Sequence, residues 1–279
     1  MKVLKFGGGC LKDAESIKNL LSVVERYGNN IVIVVSAFGK LTNILQDIYS
    51  SDTKNFSSVE EFYIKIMSDI GFNDTMIDNI IIKYLNPYCE SADSEASILA
   101  IGEIVSSNIL STYLKMLEFN HHFLDASKVI KTKESGVNAE VNWHLTQSST
   151  ISHCNKLLDT ANLPILTQGF IAGYSDNNSN EITCLGREGS DYSASIFGSV
   201  LAAEQIILFK DVNGLYNKDP KHNHQAKLFT HLSYDQAYTI CNHPHTVVHP
   251  KTIKQLKKSE IPLLIKNFNN LDLPGTIIS

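Results

Sequence analysis

The sequence predicts an α/β fold in which helices cover both faces of an open, mostly parallel β-sheet. Two short apolar runs, residues 3–6 and Ile31–Val35, have the length and composition of buried strands. Between them, residues 13–27 repeat apolar side chains at the helical spacing, at Ile17, Leu20, Leu21 and Val24. Strand, helix and strand in this order form a β-α-β unit, whose two strands run parallel.

The remaining elements follow the same pattern along the chain. Further strands are expected at residues 122–125, 164–169, 205–209 and 262–266, with helices between them, one of which starts near Ser94. Residues 50–86 are polar, with two helix-like pieces, so we expect a peripheral, lid-like insertion there. Residues 176–180 indicate a polar hairpin tip or loop.

Composition limits the function classes. The 279 residues are 43% hydrophobic and carry a formal net charge of -5, which excludes a strongly basic nucleic-acid-binding protein and gives no reason to expect membrane attraction. The five cysteines are odd in number and form no C-x-x-C pair, as is typical of reduced thiols inside the cell. We therefore expect small-molecule partners and a cytoplasmic location.

Two loops are expected at one edge of the sheet. The first, K-F-G-G-G-C at residues 5–10, places a lysine beside three glycines whose N–H groups suit phosphate, although it lacks the G-K-[ST] ending of a Walker A motif. The second, residues 36–43, offers the hydroxyls of Ser36 and Thr42. Neighbouring parallel strands end at the same edge, so the loops face one crevice. For the first loop the alternative is a tight strand-to-helix turn with a solvated lysine. For the second loop it is a simple helix cap by Thr42.

Glu103 lies in the apolar helix sequence L-A-I-G-E-I-V, where a carboxylate needs a partner. Leu99, Glu103, Ser106 and Leu110 share one helix face, and the small Ser106 leaves room for a ligand ammonium or a neighbouring lysine. An internal salt bridge is the alternative.

The sequence L-G-R-E-G-S-D-Y-S-A at residues 185–194 predicts an anion site. Arg187 offers a planar fork for a carboxylate or phosphate, and a helix starting near Ser190 adds unpaired N–H groups. The alternative is a polar loop in which Ser190 or Asp191 caps the helix.

Two C-terminal segments contain further polar groups. Residues 210–221 combine lysines, aspartates and Tyr216 after a strand, which suits a purine and its phosphates or, alternatively, a long solvent loop. Residues 243–250 contain three histidines, but no cysteine or carboxylate stands at ligand spacing, so no metal site is predicted.

These segments, together with T-Q-G-F at residues 167–170 and V-V-H-P at residues 247–250, occur in the order and rough spacing of aspartate kinases. The chain resembles that branch of the amino acid kinase family from end to end. The resemblance implies a single domain, 1–279, folded as a three-layer α/β/α sandwich around a mostly parallel sheet. Residues 1–200 would form an acid-binding lobe with the lid-like insertion 50–86, and residues 201–279 a nucleotide-binding lobe.

The resemblance further implies phosphorylation of the β-carboxylate of L-aspartate by ATP with Mg2+, giving 4-phospho-L-aspartate for lysine, threonine and methionine synthesis. Lys5 would hold the β- and γ-phosphates, and Asp191 would orient the lysine and substrate groups. The residues implied to bind the acid are Ser36, Thr42, Glu103, Arg187, Gly189 and Ser190. The residues implied to bind the nucleotide are Lys5, Gly7, Gly8, Gly9, Lys210, Asp211, Tyr216 and Lys221.

The chain departs from the family pattern at a few positions. Gly9 and Cys10 replace the usual Thr-Ser pair, and Thr246 replaces a lysine near the nucleotide, for which Lys251 or His245 would be the substitute. These departures favour, as an alternative, a catalytically weakened homologue that acts on another small acid or serves as a ligand-binding or regulatory subunit. The sequence stops where most family members continue into ACT domains, so we expect a catalytic module without feedback inhibition in cis, with a homodimer left open.

Overall fold

The computed structural model describes residues 1–176, 180–218, 220, 222–242 and 246–279. Within these residues a large sheet is formed by β1 (Lys2–Phe6), β2 (Ile31–Val35), β3 (His122–Leu124), β4 (Ile165–Gln168), β7 (Gln205–Lys210), β8 (His231–Leu232), β9 (Leu263–Asn267) and β10 (Thr276–Ile278). A separate antiparallel hairpin consists of β5 (Ile171–Ser175) and β6 (Asn180–Cys184).

The strand order in the large sheet is β3-β4-β2-β1-β7-β9-β10-β8. Neighbouring strands are parallel except β9 and β10, which pair antiparallel. The predicted mostly parallel sheet is therefore confirmed, and each of the six strands expected from the sequence is present with its bounds shifted by no more than a residue at either end. The hairpin tip expected at residues 176–180 falls partly outside the described residues, at 177–179.

Helices cover the sheet. They are α1 (Ala14–Val24), α2 (Leu41–Ser50), α3 (Ser57–Ile70), α4 (Asp74–Ile80), α5 (Asn86–Ser91), α6 (Glu95–Met116), α7 (Ala126–Val129), α8 (Trp143–Thr160), α9 (Gly189–Val200), α10 (Tyr234–Cys241) and α11 (Pro250–Ser259). Short 3-10 turns occupy Gly8–Cys10 and Glu25–Tyr27, and a π-helical turn occupies Ile81–Leu85.

Alternating strand residues divide the core into two layers. Leu4 and Phe6 of β1 pack in one layer with α1, α2, α3 and α6, whereas Val3 packs in the other with α9 and α11. This alternation is the two-residue period of a strand buried on both faces. The three-layer α/β/α arrangement is confirmed, and Lys5, like Val3, lies on the face covered by α9.

Helix α6 is the central helix of the first layer. It begins with a capping box in which Ser94 accepts a hydrogen bond from the Ser97 amide, as serine does before many helices. By length and hydropathy α6 would cross a bilayer, but 89% of its most apolar stretch is buried inside the fold. Its composition is therefore explained by its position in the core.

The segment predicted as a lid-like insertion, residues 50–86, forms α3, α4 and the π-helical turn outside the sheet. Its inner face belongs to the core, because Val59, Tyr63 and Met67 are fully buried. The segment is therefore peripheral to the sheet, while its inner face, whose apolar side chains lie at helical spacing, packs into the core. Movement of the segment over a ligand stays a prediction.

The sheet is completed by short strands that the sequence did not indicate. β8 has two residues and β10 has three, too few for a periodic pattern. The buried Thr276 hydroxyl accepts a hydrogen bond from the Leu215 amide at 2.9 Å and donates one to the Phe229 carbonyl at 2.6 Å. Tertiary contacts of this kind hold β10 in place.

Phe6 of β1, Phe209 of β7 and Phe268, which directly follows β9, form an aromatic cluster in the core. Phe6 stacks on Phe209 with ring centroids 4.7 Å apart, and the ring of Phe268 meets both rings edge-on. Phe268 is 1% exposed. We expect Phe268→Ala to lower the free energy of unfolding by about 3–5 kcal/mol, because it loses aromatic burial and leaves a cavity. Urea unfolding measures this change.

The control for this substitution is Ile82→Ala, since the Ile82 side chain is 66% exposed. We expect a change within about 0.5 kcal/mol for it. Equal effects of the two substitutions would contradict the packing described here.

Candidate active site

A cleft of about 600 Å3 lies at the carboxyl ends of β1, β2 and β7, where the sequence places the two polar loops. It brings together most of the predicted site residues, although they are spread over 200 positions of the chain. The predicted residues that line it are Lys5, Gly7, Gly8, Gly9, Ser36, Thr42, Glu103, Arg187, Gly189, Ser190, Lys210 and Asp211.

The glycine loop and the Ser36 loop touch through their backbones. A Cβ on Gly8 would lie 2.5 Å from the Gly39 carbonyl oxygen and 2.9 Å from that of Ala37, so no side chain fits there. A Cβ on Gly9 would meet only the Asp211 carboxylate, at 3.6 Å or more. The lack of a side chain is therefore required at position 8. At position 9 there is open space in which a methyl group would fit.

Three charged side chains are packed together beneath the cleft. Lys5 and Lys210 project from adjacent strands onto the face covered by α9, and Asp191 of α9 lies between them. The Lys5 Nζ lies 2.7 Å from Asp191 Oδ1, and the Lys210 Nζ donates to Asp191 Oδ2 at 2.8 Å. Glu188 Oε2 lies 3.5 Å from the same Lys210 Nζ.

The charges of this cluster keep one another ionised. Burial alone would raise the pKa of Asp191, but Lys210 and Lys5 outweigh it and hold that pKa below its ordinary value. Burial would lower the pKa of Lys210, but Asp191 and Glu188 outweigh it and raise that pKa. The cluster therefore presents two lysine charges at the floor of the cleft with their geometry fixed by a buried carboxylate.

The start of α9 differs from the expected cap. Its N-cap is Glu188, which has a left-handed backbone with φ of 54° and makes no side-chain capping hydrogen bond. The alternative in which Ser190 or Asp191 caps the helix is therefore wrong, because Asp191 is fully buried against the lysines. Ser190 packs against Gly169, where a Cβ would lie 2.5 Å from the Ser190 Cβ. Amide groups at the start of α9 are thus brought to the cleft, where Gly189 lines the wall.

Glu103 projects into the cleft from the opposite face of the sheet. It is 3% exposed, and its Oε1 accepts a hydrogen bond from the Ala37 amide at 3.2 Å. Burial raises the pKa of Glu103 to about 8, against the opposing effects of the Ala37 hydrogen bond and the Lys5 charge. Its Oε2 has no hydrogen-bond partner in the described structure, which is the expected state of a group that awaits a ligand donor.

The Ser106 hydroxyl has a role in the core that the sequence did not indicate. It accepts a hydrogen bond from the Phe38 amide at 3.0 Å and lies 3.1 Å from the Tyr63 hydroxyl. The room that this small side chain was expected to leave for a ligand ammonium or a neighbouring lysine stays a prediction.

Thr42 is not a helix cap, since α2 begins at Leu41 and Lys40 is its N-cap. The Thr42 side chain is exposed at the cleft.

Other predicted groups lie elsewhere. Tyr216 lies outside the cleft lining, and its hydroxyl accepts a hydrogen bond from Asn213 at 3.2 Å. Lys221, His243 and His245 lie outside the described residues. Among the residues that are described, no group of three or more His, Cys, Asp or Glu side chains is placed to hold a metal ion.

The departures from the family pattern have visible consequences. Cys10 is 2% exposed at the cleft wall, and burial raises the pKa of its thiol to about 11, so the thiol is neutral at pH 7. The Thr246 hydroxyl donates to the Val248 carbonyl at 2.9 Å. Lys251 does not replace a phosphate lysine, because its Nζ lies over the Tyr192 ring, 4.1 Å from the centroid, away from the cleft lining.

Part of the cleft wall was not expected from the sequence. Gln46 donates to Glu95 at 3.0 Å, and this pair lies at the rim. Val137 and Asn138 come from an irregular segment with no motif, while Phe170, within the T-Q-G-F motif, has a left-handed backbone with φ of 65°. Of these residues, Phe170 alone could have been predicted as part of the cleft wall from the sequence, because it lies in that motif.

A sequence model of the amino acid kinase family matches residues 1–267 of this chain. The chain belongs to the amino acid kinase family. Among relatives, it is 30% identical to the bifunctional aspartokinase/homoserine dehydrogenase of Buchnera aphidicola, over all of this chain and 36% of that protein. It is 26% identical to the aspartokinase of Chlamydia muridarum, over 99% of this chain and 63% of that protein.

The same family fold is found among solved structures. E. coli aspartokinase III in complex with aspartate and ADP superposes with a TM-score of 0.86 at 23% identity, over all of this chain and 64% of that one. At this identity the likeness shows the fold. The chain spans about a third of the length of the bifunctional family members and just under two thirds of the length of the Chlamydia relative.

The glycine loop of this amino acid kinase generates one prediction. We expect Gly8→Ala to lower the free energy of unfolding by about 1–3 kcal/mol, because the added methyl group must push apart two backbone segments. Gly9→Ala is the matched control and should stay within about 0.5 kcal/mol. Urea unfolding of both variants measures the difference, and equal losses would refute the close approach at Gly8.

Glu103 generates a second prediction. Its pKa is about 8 in the folded protein against an ordinary 4.5, so between these values the folded protein binds a proton that the unfolded chain releases. The contribution of Glu103 to stability therefore falls as pH rises through this window, by up to about 1.4 kcal/mol per pH unit, and levels off above it. Glu103→Gln should remove this slope. The measurement is urea unfolding of both proteins from pH 5 to pH 8, and parallel curves would contradict it.

Proposed function

We propose that this chain transfers the γ-phosphoryl group of ATP to the β-carboxylate of L-aspartate, giving 4-phospho-L-aspartate and ADP. The observation that carries the proposal is one cleft lined both by Arg187 and Glu103, which suit an amino acid, and by Lys5 and Lys210, which suit phosphates. The names of the relatives, aspartokinase and aspartokinase/homoserine dehydrogenase, support the choice of acceptor. E. coli aspartokinase III, which shares the fold, was solved in complex with aspartate and ADP, and this supports the pair of ligands.

One end of the cleft suits an α-amino acid. The Arg187 guanidinium would pair with the α-carboxylate, and the unpartnered Oε2 of Glu103 would accept a hydrogen bond from the ammonium. An ammonium partner favours the ionised form of Glu103, so binding of the amino acid would release its proton. The hydroxyls of Ser36 and Thr42, with the groups at Gly189 and Ser190, would place the side-chain carboxylate.

The other end suits the phosphates. Lys5 and Lys210 supply fixed positive charge, and Gly7, Gly8 and Gly9 bring the backbone close. A β-carboxylate oxygen attacks the γ-phosphorus while the bond to the ADP oxygen breaks, so no proton is transferred and no general base is needed. The task of the protein is to hold two anions in line and to neutralise their repulsion. Asp191, which is buried and does not line the cleft, would orient the two lysines and, through them, the substrate groups.

The residues present also fit Mg2+. The carboxylates of Glu188 and Asp211 line the phosphate end, and Mg2+ is commonly held by one or two carboxylates together with substrate phosphates. When bound, the ion would neutralise charge on the phosphate oxygens. Orientation of the phosphates by Lys5 and Lys210 is the contribution of the chain itself.

The proposal extends to the division of labour along the chain. Residues 1–200 would supply the acid-binding lobe, with segment 50–86 as its insertion, and residues 201–279 most of the adenosine contacts, including Tyr216 and Lys221. Supply of acyl phosphate to lysine, threonine and methionine synthesis and a cytoplasmic location belong to the same proposal, which the unpaired thiols support.

The direct test supplies Mg-ATP and a panel of small acids and traps the acyl phosphate as a hydroxamate with hydroxylamine. We expect hydroxamate formation with L-aspartate at the highest kcat/KM of the panel. Product with another acid alone would transfer the proposal to that acid, and no product with any acid would overturn it in favour of a ligand-binding role.

Arg187 provides a residue-level prediction. We expect Arg187→Ala to raise the KM for aspartate about tenfold to a hundredfold, because a charged hydrogen-bonding partner of the α-carboxylate is lost, while the KM for ATP changes little. Arg26→Ala, at an exposed arginine of the Glu25–Tyr27 turn, is the matched control. Steady-state kinetics would reject the assignment if both variants saturated with aspartate like the parent protein.

A further inference from the structure

Tyr63 connects the accessory helix α3 to the cleft without lining it. Its side chain is fully buried, and its hydroxyl lies 2.9 Å from the Gly102 carbonyl oxygen and 3.1 Å from the Ser106 Oγ. Gly102 and Ser106 flank Glu103 on α6. Burying a tyrosine hydroxyl without hydrogen-bond partners raises the free energy of the folded state. The two partners of Tyr63 on α6, the helix that carries Glu103, remove this penalty and make the contact specific.

The donors and acceptors of this contact can have one direction only. The Gly102 carbonyl can only accept, so the single proton of the Tyr63 hydroxyl is donated to it. The Ser106 hydroxyl therefore donates to the Tyr63 oxygen, and its own oxygen is left to accept the Phe38 amide at 3.0 Å. The chain runs from the Phe38 amide through Ser106 and Tyr63 to Gly102, with every group satisfied.

The amide at the start of this chain belongs to the Ser36 loop. Phe38 follows Ala37, whose own amide donates to Glu103 Oε1, so α6 holds two successive amides of the loop. Those two residues lie between Ser36 and Thr42, whose hydroxyls line the cleft. Glu103 and Ser106 of α6 thus hold the Ser36 loop in position, and Tyr63 of α3 sets the direction of the Ser106 hydroxyl.

We propose that Tyr63 is a positioning residue for the acceptor acid, acting through Ser106 on the Ser36 loop. The inference rests on the proposed function for the identity of the acid. In this proposal the segment predicted as a lid has a structural role: through α3 it holds the Ser36 loop in position. Hydrogen bonds in such a buried chain strengthen one another, so removal of the terminal hydroxyl is felt at the Phe38 amide.

Tyr63→Phe tests the proposal because it keeps the ring and removes the hydroxyl. We expect the KM for aspartate to rise about fivefold, the effect of one lost hydrogen bond, while the KM for ATP stays within about twofold. The control is Tyr113→Phe, a buried tyrosine of α6 whose hydroxyl makes no hydrogen bond within the described part of the chain. An unchanged KM for aspartate, or an equal rise in both variants, overturns the proposal.

A double-mutant cycle separates positioning from general packing. In a Ser106→Ala background the Tyr63 hydroxyl has lost its route to the loop, so Tyr63→Phe should change the KM for aspartate by less than about twofold. The same fivefold factor in both backgrounds would mean that Tyr63 does not act through Ser106.

Amide hydrogen exchange of the ligand-free protein decides the matter independently of catalysis. Mass spectrometry of peptides that cover residues 36–40 should show faster exchange in Tyr63→Phe than in the parent protein or in Tyr113→Phe. Unchanged exchange overturns the proposal. Inactivity of the parent protein toward aspartate would instead overturn the proposed function and leave this result valid.

Discussion

The buried charge cluster of Lys5, Asp191 and Lys210 is the constraint on which the site depends. Two lysines on neighbouring strands point to the same face, and without an anion they would repel each other in a region of low dielectric. Asp191 resolves this repulsion, but only if the first turn of α9 lies directly over the strand ends. A buried Asp191 carboxylate without the two lysines would destabilise the fold by several kcal/mol. The charge cluster therefore requires this position of α9, and this position of α9 requires the cluster.

The start of α9 and the glycines around it follow from that requirement. The chain reaches Asp191 through a left-handed turn at Glu188, and Ser190 fits against the sheet only because position 169 is glycine. On the other side, Gly8 lets the glycine loop rest on the backbone of the Ser36 loop. Fixed backbone contacts of this kind are how a protein prepares an electrostatic site before the ligand arrives.

The sequence predicted the parts of the molecule that have local patterns. The strands at residues 31–35 and 205–209 contain the continuous apolar runs 31–35 and 206–209. The helices expected after Asp13 and near Ser94 begin directly after these two residues. Lys5 and Lys210 were identifiable because each stands at the carboxyl end of such a run. The sequence could not predict that Ser106 is used inside the core, since the hydroxyl of Tyr63 that binds it is 43 positions away. Nor could spacing place Lys251, whose cation–π contact with Tyr192 depends on how α9 and α11 pack.

The dependence of the site on this cluster is tested most directly by the steady-state kinetics of Asp191→Asn. The amide has the size of the carboxylate but no charge, so it leaves both lysines in place without the anion that fixes them. We predict that kcat for the proposed phosphorylation of aspartate falls by at least about a hundredfold, while the KM for aspartate changes less than about threefold and circular dichroism shows a folded protein. A folded variant with a kcat within about threefold of the parent value would contradict the claim that this cluster sets up phosphoryl transfer.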